Sequence, residues 1–352
     1  MSESTRVILG YCWPMLPFPY RKAAALLLLG LLAGTSLTSQ EPVFRSNVKV
    51  VNVLATVREK NGGIMRDLTK EEFVLEEDGR PQTIRYFARE TDQPLTIGLL
   101  VDTSYSQRNI LVEEVAASHA FLNNMLRIDK DQAFLIRFDF DVELLQDTTQ
   151  SPRALETALD ELKLPGSDRT WGRNFQRRRM PGGGRPRNQL GGGGTLLYDA
   201  VFLGADEIIA PLPGRKALIV LSDGEDYGSK VTLDDAVRAA QKADAVVYTI
   251  LFTDSSFRSP IRVLGTHPRG HGKRVLDQMA KATGGRVFEV SSKNTIRQIY
   301  AQIEEELRNQ YSLGYSSDRP EGTGYRKISV RTTRKDTIVQ ARDGYYPGRQ
   351  AR

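Results

Sequence analysis

The chain has 352 residues, 40% hydrophobic and 26% charged, a composition that supports a packed core and excludes a disordered or fibrous protein. Its single cysteine, Cys12, lies near the amino terminus, which excludes a disulfide framework, a cysteine-ligated zinc site and a cysteine nucleophile in the body of the chain. The net charge of +6 suggests a nucleic-acid partner until it is located: residues 1–40 carry a net +2 and residues 164–194 a net +6, so the remainder is slightly acidic and no specific nucleic acid is expected.

In chain order, Arg21 and Lys22 precede an apolar run over 23–33, which small and polar residues follow to Gln40. Positive charge ahead of a run too short to span a bilayer comfortably is the pattern of a signal peptide. The stretch ahead of Arg21 is long for one, so an uncleaved anchor remains the alternative, and a membrane enters only in that case. The expected location is periplasmic, cell-surface or secreted.

Residues 43–91 read as strands. Val48, Val50, Val51, Val53, Ala55 and Val57 form an apolar run that ends at the turn Lys60-Asn61-Gly62-Gly63, and Phe73-Val74-Leu75 leads to a second turn at Asp78-Gly79. Thr69 and Glu72 have the spacing of a capping box for one helical turn.

From 92 to 310 strand and helix signals alternate, which predicts βαβ units and a mostly parallel sheet. Strands are expected at 95–101, 133–139, 142–146, 216–222, 245–252 and 286–290. Helices are expected at 108–126, 152–162, 196–210, 232–243, 274–283 and 295–309. The 95–101 strand is apolar throughout and ends in three spaced oxygen donors, Asp102, Ser104 and Ser106. Ligands of open α/β sheets bind beyond the carboxyl ends of the strands, and a hard divalent cation takes oxygen donors while keeping several waters. Asp102 and Ser104 alone could be caps for the following helix. Two further oxygen donors stand at equivalent positions: Thr195, which opens the 196–210 helix, and Asp223, which follows the 216–222 strand in Ser-Asp-Gly-Glu-Asp.

Asp102-x-Ser104-x-Ser106 with a distant Thr195 and Asp223 resembles the metal-ion-dependent adhesion site of von Willebrand factor type A domains. The resemblance implies a doubly wound, mostly parallel six-stranded sheet with a short antiparallel edge strand. It further implies Mg²⁺ or Mn²⁺ held by these five residues, with Ser104 and Ser106 as direct ligands. Asp102 and Asp223 would act directly or through water and Thr195 according to state, and a carboxylate from a protein partner would complete the shell. Tyr105 stands where that family often has glycine and would narrow the mouth; Gln107 stands where methionine is common. Residues 66–82 also resemble the segment that precedes the A domain in a bacterial subfamily described from acidobacteria.

Around this constellation, Glu225 and Asp226 are expected beside the ligands or at the rim. Asp139 and Asp141 are expected in a solvated hairpin turn, and Asp199 at the positive end of its helix. Residues 165–194 hold nine glycines and seven arginines with Trp171 and Phe175 interleaved, which predicts disorder or an extended flap. Within it Arg173, Arg177, Arg178 and Arg179 are candidate anion contacts, the alternative being a tolerated surface insertion. His267 and His271 read as loop residues because Pro268 and Gly270 separate them, and His119 as packed or capping.

After Gln310 alternation returns, in Tyr311, Leu313, Tyr315, then Tyr325, Ile328, Val330, then 338–341. Too few for a stable sheet alone, the 311–348 strands are expected to pair with those of 43–91 as one β-sandwich into which the 92–310 region is inserted. No G-x-S-x-G, H-E-x-x-H or paired-carboxylate pattern stands out, so a non-enzymatic binding protein is expected. The alternative is an assembly protein of the cell envelope, acting through its β module with a vestigial metal site.

Overall fold

The computed structural model describes residues 50–89, 92–104, 107, 111–127, 129–162, 195–252, 270–319 and 322–347. The leader, Tyr105, Ser106, His267 and the arginine-rich segment with Arg173, Arg177, Arg178 and Arg179 lie outside them.

Four strands come first: β1 (Val50–Glu59), β2 (Phe73–Glu77), β3 (Arg80–Gln82) and β4 (Ile84–Arg89). Asp78 and Gly79, both at positive φ, make the two-residue turn between β2 and β3, a conformation that glycine and aspartate adopt at least cost. At Thr69 the backbone N–H donates to Glu72 Oε2 at 2.8 Å, the reciprocal contact that a capping box requires.

The α/β region follows as β5 (Leu95–Asp102), α1 (Leu111–Met125), β6 (Gln132–Phe138), β7 (Val142–Thr149), α2 (Pro152–Asp160), α3 (Leu197–Phe202), β8 (Arg215–Ser222), α4 (Leu233–Lys242), β9 (Ala245–Leu251), α5 (His271–Thr283), β10 (Val287–Glu289) and α6 (Ile296–Arg308). Its six-stranded sheet has the order β10-β9-β8-β5-β6-β7, parallel except for the β6–β7 pair. Every residue of β5 and β8 is buried, which is why their sequences are apolar runs rather than alternations. One face of the sheet packs α1, α2 and α6 through Phe121, Leu155, Ile299 and Ile303. The other packs α3, α4 and α5 through Val201, Ala236, Leu276 and Met279. This is the doubly wound architecture that the sequence implies.

Two expectations need correction. The antiparallel edge strand β7 is not short: it has eight residues and outlasts β6, its only neighbour among the described residues. The 196–210 helix is α-helical only to Phe202 and continues over Leu203–Ile209 as a π-helix, with Ala210 N–H donating to Ala205 O at 3.1 Å. Gly204, the weakest helix former in that stretch, lies there against Phe134, Ile136 and Leu218 of the sheet.

The chain then forms β11 (Tyr311–Ser316), β12 (Arg326–Thr332), β13 (Thr337–Ala341) and β14 (Gly344–Tyr345). β11 lies between β1 and β4, β13 pairs with β1, and β12 pairs with β2, all antiparallel. Flanking amino- and carboxyl-terminal segments thus build one small β-sandwich around Val53, Phe73, Leu75, Tyr311, Leu313 and Ile328. Its one buried acid, Glu77, accepts from Tyr315 Oη at 2.6 Å, Tyr345 Oη at 3.0 Å, Ser317 Oγ at 2.6 Å and Arg326 Nη1 at 2.8 Å. No described helix is long and apolar enough to cross a membrane.

Candidate metal centre

β5 and β8 are adjacent and parallel, so their carboxyl ends emerge side by side, and each delivers an aspartate there. Asp102, the last residue of β5, is fully buried. Its Oδ1 accepts the Ser104 backbone N–H at 2.9 Å, and its Oδ2 accepts Ser222 Oγ–H at 2.7 Å. Ser222 Oγ in turn accepts Gly224 N–H at 3.0 Å, which fastens the loop after β8 to the end of β5. Asp223 begins that loop, half-buried, with Oδ1 accepting Glu225 N–H at 3.1 Å.

Two glycines permit this loop its position. A Cβ on Gly224 would sit 2.3 Å from Gly272 O, and one on Gly272 would sit 2.1 Å from Asp223 O. The first turn of α5 therefore presses directly on the backbone that carries Asp223, an approach closed to any other residue.

Thr195 is buried and held from both sides: its carbonyl accepts Tyr227 N–H at 2.8 Å, and the next residue, Leu196, donates its N–H to Asp139 O at 2.8 Å. The loops after β8 and β6 thus bring Thr195 to the carboxyl edge of the sheet that also carries Asp102, Ser104 and Asp223.

Burial and the neighbouring charge of Asp223 push the Asp102 carboxyl up to about 7, against the lowering effect of hydrogen bonds from Ser104 and Ser222. A second buried acid, Glu114, stands on α1 with 1% exposure and no hydrogen-bond partner for Oε1. Burial first, and the charge of Asp102 second, raise its carboxyl well above the usual range. The negative charges of Asp223 and Glu114 both act against that of Asp102, and a divalent cation would relieve that repulsion. Among the described residues no cluster of three His, Cys, Asp or Glu side chains forms, so carboxylates and hydroxyls together are the donor set on offer, and it suits a hard cation that keeps several waters.

Several other residues differ from expectation. Asp226 is half-buried in the loop after β8: its Oδ1 accepts Tyr198 N–H at 3.2 Å and Ser229 Oγ–H at 2.6 Å, which satisfies the start of α3. Glu225, in the same loop, donates its N–H to Asp223 Oδ1 and stands 3.7 Å from His271 Nδ1. His271 is not in a loop but opens α5, because Gly270 at φ +85° turns the chain into that helix. Asp139, expected in water, is 2% exposed. It accepts Thr103 Oγ1–H at 3.2 Å and Asp141 N–H at 3.1 Å, and so anchors the residue next to Asp102. Asp199 lies in the first turn of α3, as expected, and in addition accepts the N–H groups of Lys230 and Val231 at 2.9 and 3.1 Å. His119 lies 3.1 Å from Asp160 Oδ1.

Glu114 is the residue that sequence reasoning missed. Its signal was present: it shares the inward stripe of α1 with Leu111, Ser118, Phe121, Leu122 and Met125, where a carboxylate has no solvent to face.

Compared with known proteins, the chain matches no protein-family model and no curated protein. Among solved structures it is similar to the conserved hypothetical protein BatB from Bacteroides thetaiotaomicron, at 17% identity over 61% of this chain and 100% of that one, with a TM-score of 0.43. It is similar also to proximal thread matrix protein 1 of the mussel byssus with a zinc-occupied MIDAS motif, at 15% identity over 66% of this chain and 49% of that one, TM-score 0.44. A third is the vWF domain of the type V pili tip protein Mfa5 from Porphyromonas gingivalis, at 13% identity over 61% and 95%, TM-score 0.40. Likeness of this degree decides nothing about the site; strand order and hydrogen bonds describe it.

Proposed function

We propose that the protein is an exported, non-enzymatic binding protein that holds Mg²⁺ or Mn²⁺ with Asp102, Ser104, Ser106, Thr195 and Asp223, and captures an acidic group of a protein partner through that ion. The observation that carries this reading is the pairing of Asp102 and Asp223 at adjacent strand ends, with Asp102 fully buried and pushed up to about 7. Two carboxylates held against their own repulsion, among donors that are otherwise hydroxyls, are suited to a cation and leave coordination positions for a ligand from outside. Export is supported by the basic and apolar leader, and membership of the acidobacterial subfamily by the pattern over 66–82.

The test is thermal unfolding with and without MgCl₂, in the wild type and in Asp102→Ala. At a metal concentration about 100 times the dissociation constant, the wild type gains roughly 2.7 kcal/mol and the variant gains nothing. Pull-downs from envelope extract with and without chelator test the partner. Unchanged melting of the wild type on adding Mg²⁺ and Mn²⁺, or capture that survives chelator, refutes the proposal; the second result would favour an assembly role for the β module.

A further inference from the structure

Asp139 stands outside the five proposed ligands, yet its two carboxylate oxygens and its carbonyl hold three different pieces of chain at the carboxyl edge of the sheet. It follows β6, in the turn to β7, and is 2% exposed. Oδ1 accepts the Asp141 N–H at 3.1 Å, and the Asp139 N–H donates to Asp141 O at 3.0 Å, so the side chain closes its own turn. The carbonyl of that turn accepts the Leu196 N–H at 2.8 Å, and Leu196 follows Thr195 directly. Oδ2 accepts Thr103 Oγ1–H at 3.2 Å, and Thr103, itself buried, stands between Asp102 and Ser104. The Thr103 N–H donates to Phe138 O at 2.9 Å, so main chain and side chain both join the ends of β5 and β6.

Thr195 is thereby tied to both strand ends that carry an aspartate. The Tyr227 N–H on its carbonyl fastens it to the loop of Asp223, and Asp139 fastens it, through Thr103, to the loop of Asp102 and Ser104. Donors that are fixed before an ion arrives spare its binding the entropy of ordering them. The charge of Asp139 is offset locally, since Arg137 Nη1 stands 3.5 Å from Oδ2, and both oxygens are committed to donors within the protein.

We propose that Asp139 is a positioning residue of the metal centre, which sets Thr195 against the Asp102–Ser104 loop ahead of the ion and acts by geometry rather than by charge. The inference rests on the metal reading above.

The experiment measures Mn²⁺ affinity of the full-length protein by isothermal titration calorimetry, with the metal-free melting temperature of each variant beside it. Asp139→Ala is expected to weaken Mn²⁺ binding about 10–100-fold, as loss of a group that orients metal ligands does. In the metal-free protein it is also expected to speed hydrogen exchange of the Leu196 amide, which loses a fixed acceptor. Asp139→Asn keeps Oδ1 for the Asp141 N–H and offers Nδ2 to Thr103 Oγ1, so it is expected to bind nearly as tightly as the wild type. Thr103→Val, which removes the hydroxyl alone, is expected to weaken binding, and Thr103→Ser to restore it. Wild-type affinity in both Asp139→Ala and Thr103→Val overturns the proposal. So does an Asp139→Asn as weak as Asp139→Ala, which would make the charge the active property. Affinity that falls in step with melting temperature through all the variants, Thr103→Ser included, overturns it too, because the role would then be structural. Should Asp139→Ala not fold, Thr103→Val against Thr103→Ser decides. A wild type that binds no Mn²⁺ refutes the metal reading itself and this inference with it, whereas a wild type that binds while the variants bind equally refutes this inference alone.

Discussion

Replacing Asp102 with Asn is expected to stabilise the metal-free protein above neutral pH while removing its response to metal. An aspartate in the unfolded chain titrates near 3.9. In the fold, burial and the charge on Asp223 push Asp102 up to about 7. The folded state therefore binds more protons than the unfolded state between about pH 4 and pH 7, and stability falls as pH rises through that window. A difference of about three units at about 1.4 kcal/mol each makes the penalty on the order of 4 kcal/mol once Asp102 is ionised. Asn cannot ionise, but its amide nitrogen donates and does not accept, so one of the bonds from Ser222 Oγ–H and Ser104 N–H loses its acceptor, at about 1 kcal/mol for one neutral hydrogen bond. The variant should thus be about 1 kcal/mol less stable than the wild type at pH 4 and about 3 kcal/mol more stable at pH 8. Urea unfolding of chelator-treated proteins at pH 4, 6 and 8 measures the difference. A variant no more stable than the wild type at pH 8, or a difference that does not change across the window, refutes the reasoning.

Glu114→Gln should likewise stabilise the metal-free protein at neutral pH in urea unfolding, because burial and Asp102 make the ionised acid costly there and glutamine keeps its shape. Glu306 is 1% exposed, with Arg58 Nη1 at 3.3 Å and Arg286 Nε at 2.7 Å; Glu306→Ala leaves both guanidiniums facing a buried void and should cost about 3–5 kcal/mol in the same assay. Burial raises the Glu77 carboxyl, but hydrogen bonds from Ser317, Tyr315, Tyr345 and Arg326 outweigh it and leave the group lowered. Its contribution is therefore present above the unfolded value near 4.3 and lost as pH falls below it, so Glu77→Gln should flatten the acid limb of a stability–pH curve. Gly98→Ala in β5 places a Cβ 2.3 Å from Phe134 Cζ and 2.6 Å from Leu218 Cδ2; overpacking of this kind costs about 1–3 kcal/mol, visible as a lower melting temperature.

What the sequence disclosed followed from periodicity and from the ends of strands. β5 and β8 are legible because total burial makes them unbroken apolar runs, and α6 because Ile296, Ile299, Tyr300, Ile303 and Leu307 recur on one face. The sandwich is legible because β1 and β11 alternate or run apolar where they bury Val53, Ala55, Tyr311 and Leu313. Asp102, Ser104, Thr195 and Asp223 are visible as oxygens placed just past such elements. Residues whose role comes from a neighbour distant in sequence were not. Asp139 is dry because Thr103 and Arg137 cover it, and Asp226 is tied to α3 because Tyr198, 28 residues away, donates its N–H to it. The π-helix over Leu203–Ile209 has the same apolar content as an α-helix and leaves no mark in the pattern.

The two ends of the sheet treat charge in opposite ways, and the difference has a reason. At the amino-terminal end, Asp131 before β6 is held by Arg127 and Arg308, Glu306 faces Arg286 and Arg58, and Asp244 before β9 meets Arg342. The buried acids Asp131 and Glu306 are matched by bases there, and the Arg58–Glu306 and Arg342–Asp244 pairs tie the sandwich to the α/β region. At the carboxyl-terminal end Asp102 and Glu114 are buried with raised carboxyls, and the hydrogen bonds that Asp102 accepts come from Ser104 and Ser222. A domain with a typical net stability of about 5–15 kcal/mol can carry a penalty on the order of 4 kcal/mol at one edge only if the remainder holds a surplus. That surplus comes from apolar burial on both faces of the sheet and in the sandwich core, since buried ion pairs add little net stability. A cation bound there, as proposed, would release that repulsion, so the free energy that destabilises the metal-free protein would become part of its affinity for the ion.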